Sequence, residues 1–218
     1  MQTNFDLIVF DWDGTLMDSA AAIVHAIQAA SRDLGLPEPP EQRARHVIGL
    51  GLSDALQLAV PDLPETAYPE MVERYRHHYL SRDHELVLFA GVEALLQELA
   101  ARGYRLAVAT GKSRLGLDRA LDHSGLRAYF HALRCADQCH SKPHPQMLEE
   151  LMDELGAEPG RTLMIGDTTH DLQMARNAGT GGVGVSYGAH ALEDLLALDP
   201  LACVHSVEAL QQWLQENA

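Results

Sequence analysis

The sequence predicts an α/β fold: a doubly wound parallel sheet interrupted, after its first strand, by an all-helical insertion. Three observations predict it. Short unbroken apolar runs at Leu7–Phe10, Leu106–Ala109, Leu163–Ile165 and Val183–Val185, with a weaker one at Ala202–Val204, read as strands buried on both faces. Helical stretches alternate with them, the pattern of right-handed crossovers on a parallel sheet. From about Asp18 to Asp83 the strand-like runs stop and only helical patterning remains.

The elements follow in order. The first strand ends at Asp11, where Gly14 lets the chain turn. In the insertion, Ile23, Ile27, Ala30 and Leu34 share one helical face, and Gly35 stops the segment. The proline-rich turn Pro37–Pro40 follows, then the helical run LSDALQLAV, the breaker PDLP and a last segment over Glu65–Arg82. Back in the alternating pattern, Gly91–Arg102 reads as a helix stopped by Gly103 and leading into the strand before Thr110. Ser113 caps a helix running to His123, Gln146–Leu155 ends at Gly156, and Ser206 caps the final VEALQQWLQE. The expected division is an α/β core over residues 1–17 and 86–218, with a helical cap over 18–85.

Composition narrows the function. The 218 residues carry 16 basic and 31 acidic side chains, a formal charge of −15, which argues against binding nucleic acid by phosphate neutralisation. No apolar run approaches the roughly 18 residues of a spanning helix, so no membrane is expected. The first residues lack the basic-then-apolar order of a signal peptide. Three cysteines without such a leader fit a reducing cytoplasm. Of the basic residues only Lys112 and Lys142 are lysine, and both lie in loops beside the motifs below.

Asp11-Trp12-Asp13-Gly14-Thr15-Leu16 places two carboxylates on the same side of a strand end, where open α/β sheets bind ligands. Thr110-Gly111-Lys112 ends the next long strand and offers a hydroxyl and a glycine amide to an oxyanion. Lys142 lies in Ser-Lys-Pro-His-Pro, whose prolines stiffen the loop. Gly166-Asp167-Thr168-Thr169-His170-Asp171 ends a further strand with two acids four apart at a helix start. Other patterns fall away. Gly179–Gly184 spells G-x-G-x-x-G, but it ends a helix and opens a strand, the reverse of a dinucleotide site. Cys135, Cys139, His140 and His144 have no standard zinc spacing, and His77 and His78 read as solvated.

With DWDGTLMDS, AVATGK, SKPHPQML and MIGDTTHD in this order, the chain resembles the haloacid dehalogenase (HAD) superfamily, above all its phosphatase branch with an inserted helical cap, the branch that holds phosphoglycolate phosphatases. The resemblance implies a Rossmann-like core and Mg²⁺-dependent hydrolysis of a small phosphorylated metabolite, phosphoglycolate or a sugar phosphate, through an aspartyl phosphate. It makes Asp11 nucleophile and metal ligand, and Asp13 acid–base and, through its carbonyl, metal ligand. Thr110, Gly111 and Lys142 would bind the phosphoryl group, Asp167 would complete the metal site, and Asp171 would orient Lys142 or a metal-bound water. Two departures stand out: Trp12 between the aspartates, and Gly111 where many relatives carry asparagine. A sugar-phosphate mutase of the same superfamily shares every motif. A phospho-accepting signalling domain needs neither Asp13 nor a cap. Substrate reading is expected from His46–Gly51, while Arg43, Arg45, Arg74 and Arg76 either meet an anionic substrate or solvate the insertion.

Overall fold

The computed structural model describes residues 4–218; residues 1–3 of the expected core segment lie outside the described residues. Strand β1 (Leu7–Phe10) leads through a tight turn to β2 (Met17–Asp18) and then into four helices: α1 (Ala20–Asp33), α2 (Glu41–His46), α3 (Leu52–Ala59) and α4 (Tyr68–Ser81). The chain returns through β3 (Val87–Leu88) and α5 (Val92–Ala101) to β4 (Arg105–Thr110), α6 (Arg114–Ser124) and β5 (Ala132–Cys135). The remainder runs α7 (Gln146–Leu155), β6 (Thr162–Gly166), α8 (Thr169–Ala178), β7 (Gly181–Val185), α9 (Leu192–Leu196), β8 (Ala202–Val204) and α10 (Val207–Asn217).

Six parallel strands form one sheet in the order β5-β4-β1-β6-β7-β8. Phe10 of β1 stands opposite Val108 on one side and Ile165 on the other. The chain moves outward from β1 through β4 to β5, then returns across β1 to lay down β6, β7 and β8. The reversal of direction at β1 opens the crevice at the carboxyl ends of β1, β4 and β6.

Why β1 is an unbroken apolar run is visible in the packing. Ile8 and Phe10 join a cluster with Leu95, Leu96, Leu117 and Leu210, from α5, α6 and α10. Leu7 and Val9, one step out of phase, join Met147, Leu151 and Met174, from α7 and α8, on the other face. The insertion has its own cluster, in which Ile23, Ile27 and Ala30 of α1 pack with Leu56 of α3 and Met71 of α4. Of the buried residues in that cluster, Ala189 alone comes from beyond the insertion.

Five elements, β2, β3, β5, α2 and α9, differ from expectation, each for a local reason. β5 (ALRC) buries only its end residues and has an arginine inside, so it lacks an apolar run. The β2–β3 ribbon pairs just Met17 with Leu88 and Asp18 with Val87, too short for any periodicity. α2 (EQRARH) buries Ala44 alone, and α9 (LEDLL) buries Leu195 alone. His78, expected in solvent, instead lies 2.7 Å from Asp33 and ties α4 to α1.

Candidate active site

The core side of the site is built from strand ends. Asp11 follows β1, and its amide donates to the carbonyl of Ile165, which fixes it beside β6. Asp167 follows β6 and is fully buried. Its Oδ1 accepts from the Thr15 hydroxyl at 2.9 Å and its Oδ2 from the Ala189 amide at 2.7 Å. Gly14, at φ +82°, passes so close that a Cβ there would sit 2.7 Å from Asp167 Cγ. Asp171, in the first turn of α8, makes a capping box with Thr168: Asp171 Oδ2 accepts from the Thr168 amide at 3.0 Å and its hydroxyl at 2.7 Å. That leaves Oδ1 free to receive Lys142 Nζ at 2.6 Å.

Lys142 is fully buried and reaches Asp11 as well, its Nζ lying 2.8 Å from Oδ1. Neither buried oxygen of Asp11 receives an aligned hydrogen bond. One carboxylate oxygen each of Asp11, Asp167 and Asp171 lies within 4.8 Å of the others. Such crowding in a dry site disfavours ionisation. Burial first, then Asp171 and Asp13, push Asp11 up to about 7, against the pull of Lys142. Burial, Asp11 and Asp171 hold Asp167 well above the usual carboxylate range. Burial opposes the charge on Lys142, but Asp11 and Asp171 more than offset it and raise that pKa.

Asp13 sits on the other side of Asp11. Ser19, at the N-cap of α1, leaves the helix amides and donates its hydroxyl to Asp13 Oδ1 at 2.7 Å. Lys112 Nζ donates to both Asp13 oxygens, at 3.0 and 3.1 Å, and to the Tyr79 hydroxyl of α4 at 2.9 Å. Thr110 is buried at the end of β4, its hydroxyl oxygen accepting from the Lys112 amide at 3.2 Å. Trp12 points the opposite way, buried in the core with its edge toward Phe130.

The insertion closes over these loops through the His46–Gly51 turn. A Cβ on Gly111 would collide with the Leu50 carbonyl and lie 2.6 Å from the Gly49 carbonyl oxygen, so only glycine admits this approach without movement. The Gly51 amide donates to the Ser141 hydroxyl at 2.8 Å. The His46 carbonyl accepts from Nε2 of His170 at 2.8 Å and of His190 at 3.1 Å. His190 Nδ1 accepts from the Thr169 amide at 3.1 Å, which sets the neutral tautomer with its proton on Nε2.

Thus the structure brings Asp11, Asp13, Thr110, Gly111, Lys142, Asp167 and Asp171 together in one crevice. Sequence reasoning passed over Thr15, Ser19, Tyr79, the Ala189 amide and the partners of Lys112. Thr15 and Ser19 adjoin the aspartates and lay within reach of local reading; Tyr79 and Ala189 arrive only through tertiary folding.

A family model described as "Haloacid dehalogenase-like hydrolase" matches residues 8–185. A Dickeya dadantii (strain 3937) protein named "Probable phosphatase IndB" is 41% identical over 204 residues, covering 91% of this chain and 88% of that protein. A Vibrio vulnificus (strain CMCP6) protein named "Phosphoglycolate phosphatase" is 32% identical over 209 residues, covering 91% of each. The crystal structure of "a predicted phosphoglycolate phosphatase" from Haemophilus somnus 129pt superposes with a TM-score of 0.88 at 27% identity, covering 97% of this chain and 99% of that one.

Proposed function

The chain belongs to the haloacid dehalogenase-like hydrolase family, and from that premise we propose that it is a Mg²⁺-dependent phosphatase acting on a small phosphorylated metabolite through an aspartyl phosphate at Asp11. One observation carries the reading. Both Asp11 oxygens are buried yet receive no aligned hydrogen bond, while Lys142 and two further carboxylates surround them. A structural aspartate would have its oxygens satisfied; a nucleophile needs a lone pair free.

The donors suit Mg²⁺. They are all oxygen, and Asp11, Asp13, Asp167 and Asp171 outnumber Lys112 and Lys142 by two charges. Asp11, Asp167 and the Asp13 carbonyl would hold the ion, with Asp171 alongside to fix Lys142. Bound there, Mg²⁺ supplies positive charge that lets the ionised nucleophile and a phosphate dianion approach.

Asp11 attacks phosphorus, and the bond to the leaving oxygen breaks as Asp13 transfers its proton to that oxygen. Asp13, now ionised, takes a proton from water, whose oxygen attacks the phosphoryl group and frees Asp11 and inorganic phosphate. Thr110 and the Gly111 amide hold the phosphoryl oxygens, and Lys142 balances their charge. Asp171, anchored by Thr168, keeps Lys142 pointed at Asp11. The inserted helices act as a cap over residues 18–85 that keeps bulk water from the intermediate. A cytoplasmic setting belongs to the same reading, with Cys135, Cys139 and Cys203 as free thiols.

The test is hydrolysis of p-nitrophenyl phosphate. Turnover is expected with Mg²⁺, inhibition with Ca²⁺, and loss in excess chelator. Full activity in the chelator overturns the reading.

A further inference from the structure

Lys142 stands between two carboxylates, 2.8 Å from Asp11 and 2.6 Å from Asp171, on a flexible four-carbon stem. Where its ammonium lies is therefore set at two points: the backbone that carries it and the carboxylate that receives it. Lys142 is the second residue of a tight turn, closed by the His144 amide donating to the Ser141 carbonyl at 3.0 Å. From α8, Asn177 donates to the Pro143 carbonyl at 2.8 Å, and Thr168 fixes Asp171.

One short stretch of the insertion meets both points. The Gly51 amide donates to the Ser141 hydroxyl at 2.8 Å, and that hydroxyl donates in turn to the carbonyl of Lys142 at 3.3 Å. An oxygen with one proton and two lone pairs does both at once. Two residues earlier, Gly49 passes so near Thr168 that a Cβ would lie 3.2 Å from its hydroxyl oxygen. The stretch 49–51 thus touches the residue before the lysine and the residue that anchors the lysine's partner. A cover that only excluded water would need neither contact.

We propose that the insertion completes the mounting of Lys142, with Ser141 as a positioning residue: seating of the stretch 49–51 fixes the lysine against Asp11, and lifting of the stretch slackens it. This rests on the phosphatase reading and gives the insertion a task beyond covering the crevice. The charge of an arriving phosphoryl group is balanced in full only when the insertion is down, so reaction at Asp11 is tied to closure. Such a coupling is reciprocal, because two sites joined by one free energy bias each other equally. Removing the lysine loosens the stretch just as lifting the stretch slackens the lysine.

The experiment has an exchange arm and a kinetic arm. In the first, hydrogen exchange of the Gly51 amide is followed by NMR in the full chain. The reference is the Ala55 amide, which donates to the Gly51 carbonyl at the start of α3. Lys142→Gln is expected to speed Gly51 exchange by about 5-fold or more relative to Ala55. In the second arm, Ser141→Ala is expected to lower kcat on p-nitrophenyl phosphate by about 3- to 10-fold, the worth of one hydrogen bond, with KM within about twofold of wild type. Ser141→Thr keeps the hydroxyl and most of kcat. Gly51→Ala, at an ordinary φ of −60°, sets a methyl 3.1 Å from the Ala136 Cβ and presses the stretch away from Ser141. It is expected to match Ser141→Ala, and the double variant to be no slower than the slower single one, since both break one contact. If Ser141→Ala does not fold, the kinetic arm is read on Gly51→Ala. Unchanged Gly51 exchange in Lys142→Gln, a loss confined to KM, or additive losses in the double variant overturns the coupling and leaves the phosphatase reading standing. Absence of Asp11-dependent turnover in wild type overturns the phosphatase reading, and the exchange arm then decides the coupling by itself.

Discussion

The core half of the site and the half supplied by the insertion solve the same problem, holding charged groups out of water, by different means. In the core half, Asp11, Asp167, Asp171 and Lys142 are fixed by strand ends, a capping box and buried hydrogen bonds. In the insertion half, the His46–Gly51 turn is seated by backbone groups against Gly111, Ser141, His170 and His190, and a single lysine bridges Asp13 to Tyr79. The first half is anchored to the sheet, and the second is joined to the core by polar contacts. On the proposed function the difference separates two tasks: the chemistry needs a fixed constellation, and substrate exchange would need a seam that opens.

The largest effect is expected from the core half. On the proposed mechanism Asp11→Asn removes the nucleophile and is expected to lower turnover by at least about 10⁴-fold, as loss of a covalent nucleophile does elsewhere, and to abolish phosphoenzyme formation. The same change relieves the crowding that raises Asp11 and Asp167, so the metal-free variant melts higher than wild type at pH 8. Wild-type turnover in Asp11→Asn removes the core half from the chemistry.

A smaller loss is expected when the seam is wedged. Gly111→Asn drives a side chain into the Gly49 and Leu50 carbonyls, and the turn must lift. A displacement of about 1 Å costs up to about 100-fold in kcat/KM, with Mg²⁺ binding by titration calorimetry unchanged because Asp11 and Asp167 do not move. Equal losses in metal binding and turnover show that the halves are not separable.

How much of this was legible in the sequence divides along the same line. The strands whose faces are both buried announced themselves as apolar runs, and their ends carried Asp11, Thr110 and Asp167 into register because parallel pairing aligns Phe10, Val108 and Ile165. Asp171 was legible as a helix-start acid. The insertion half was not. Tyr79 lies 33 residues from Lys112 on a helix whose exposed face looks like any solvated one, and Ala189 acts through its amide, which no side-chain pattern reveals. Ser19 reads as an ordinary helix cap, yet its hydroxyl goes to Asp13. Gly111 was visible as a departure from relatives, but only the approach of the Gly49–Leu50 backbone gives it a reason.

The smallest effect is a change in stability with pH, and it tests whether histidines fasten the seam. Burial first, then His170 and His46, lower His190 from the ordinary 6.5 to about 4, and burial lowers His170 as well. Between pH 6.5 and 4 the unfolded chain binds a proton at position 190 that the folded chain refuses, so stability falls as the pH drops through this window. Protonation there also sets an N–H against the Thr169 amide, which Nδ1 otherwise accepts. The expected loss from His190 is on the order of 2–3 kcal/mol across the window. His190→Gln is expected to start less stable at pH 7.5 and to show a shallower fall in Tm on acidification, with kcat at pH 7.5 within about threefold of wild type, since no reacting atom is touched. A Tm profile as steep as wild type shows that the acid sensitivity lies elsewhere, and that the contacts of the His46 carbonyl do not fasten the insertion to the core.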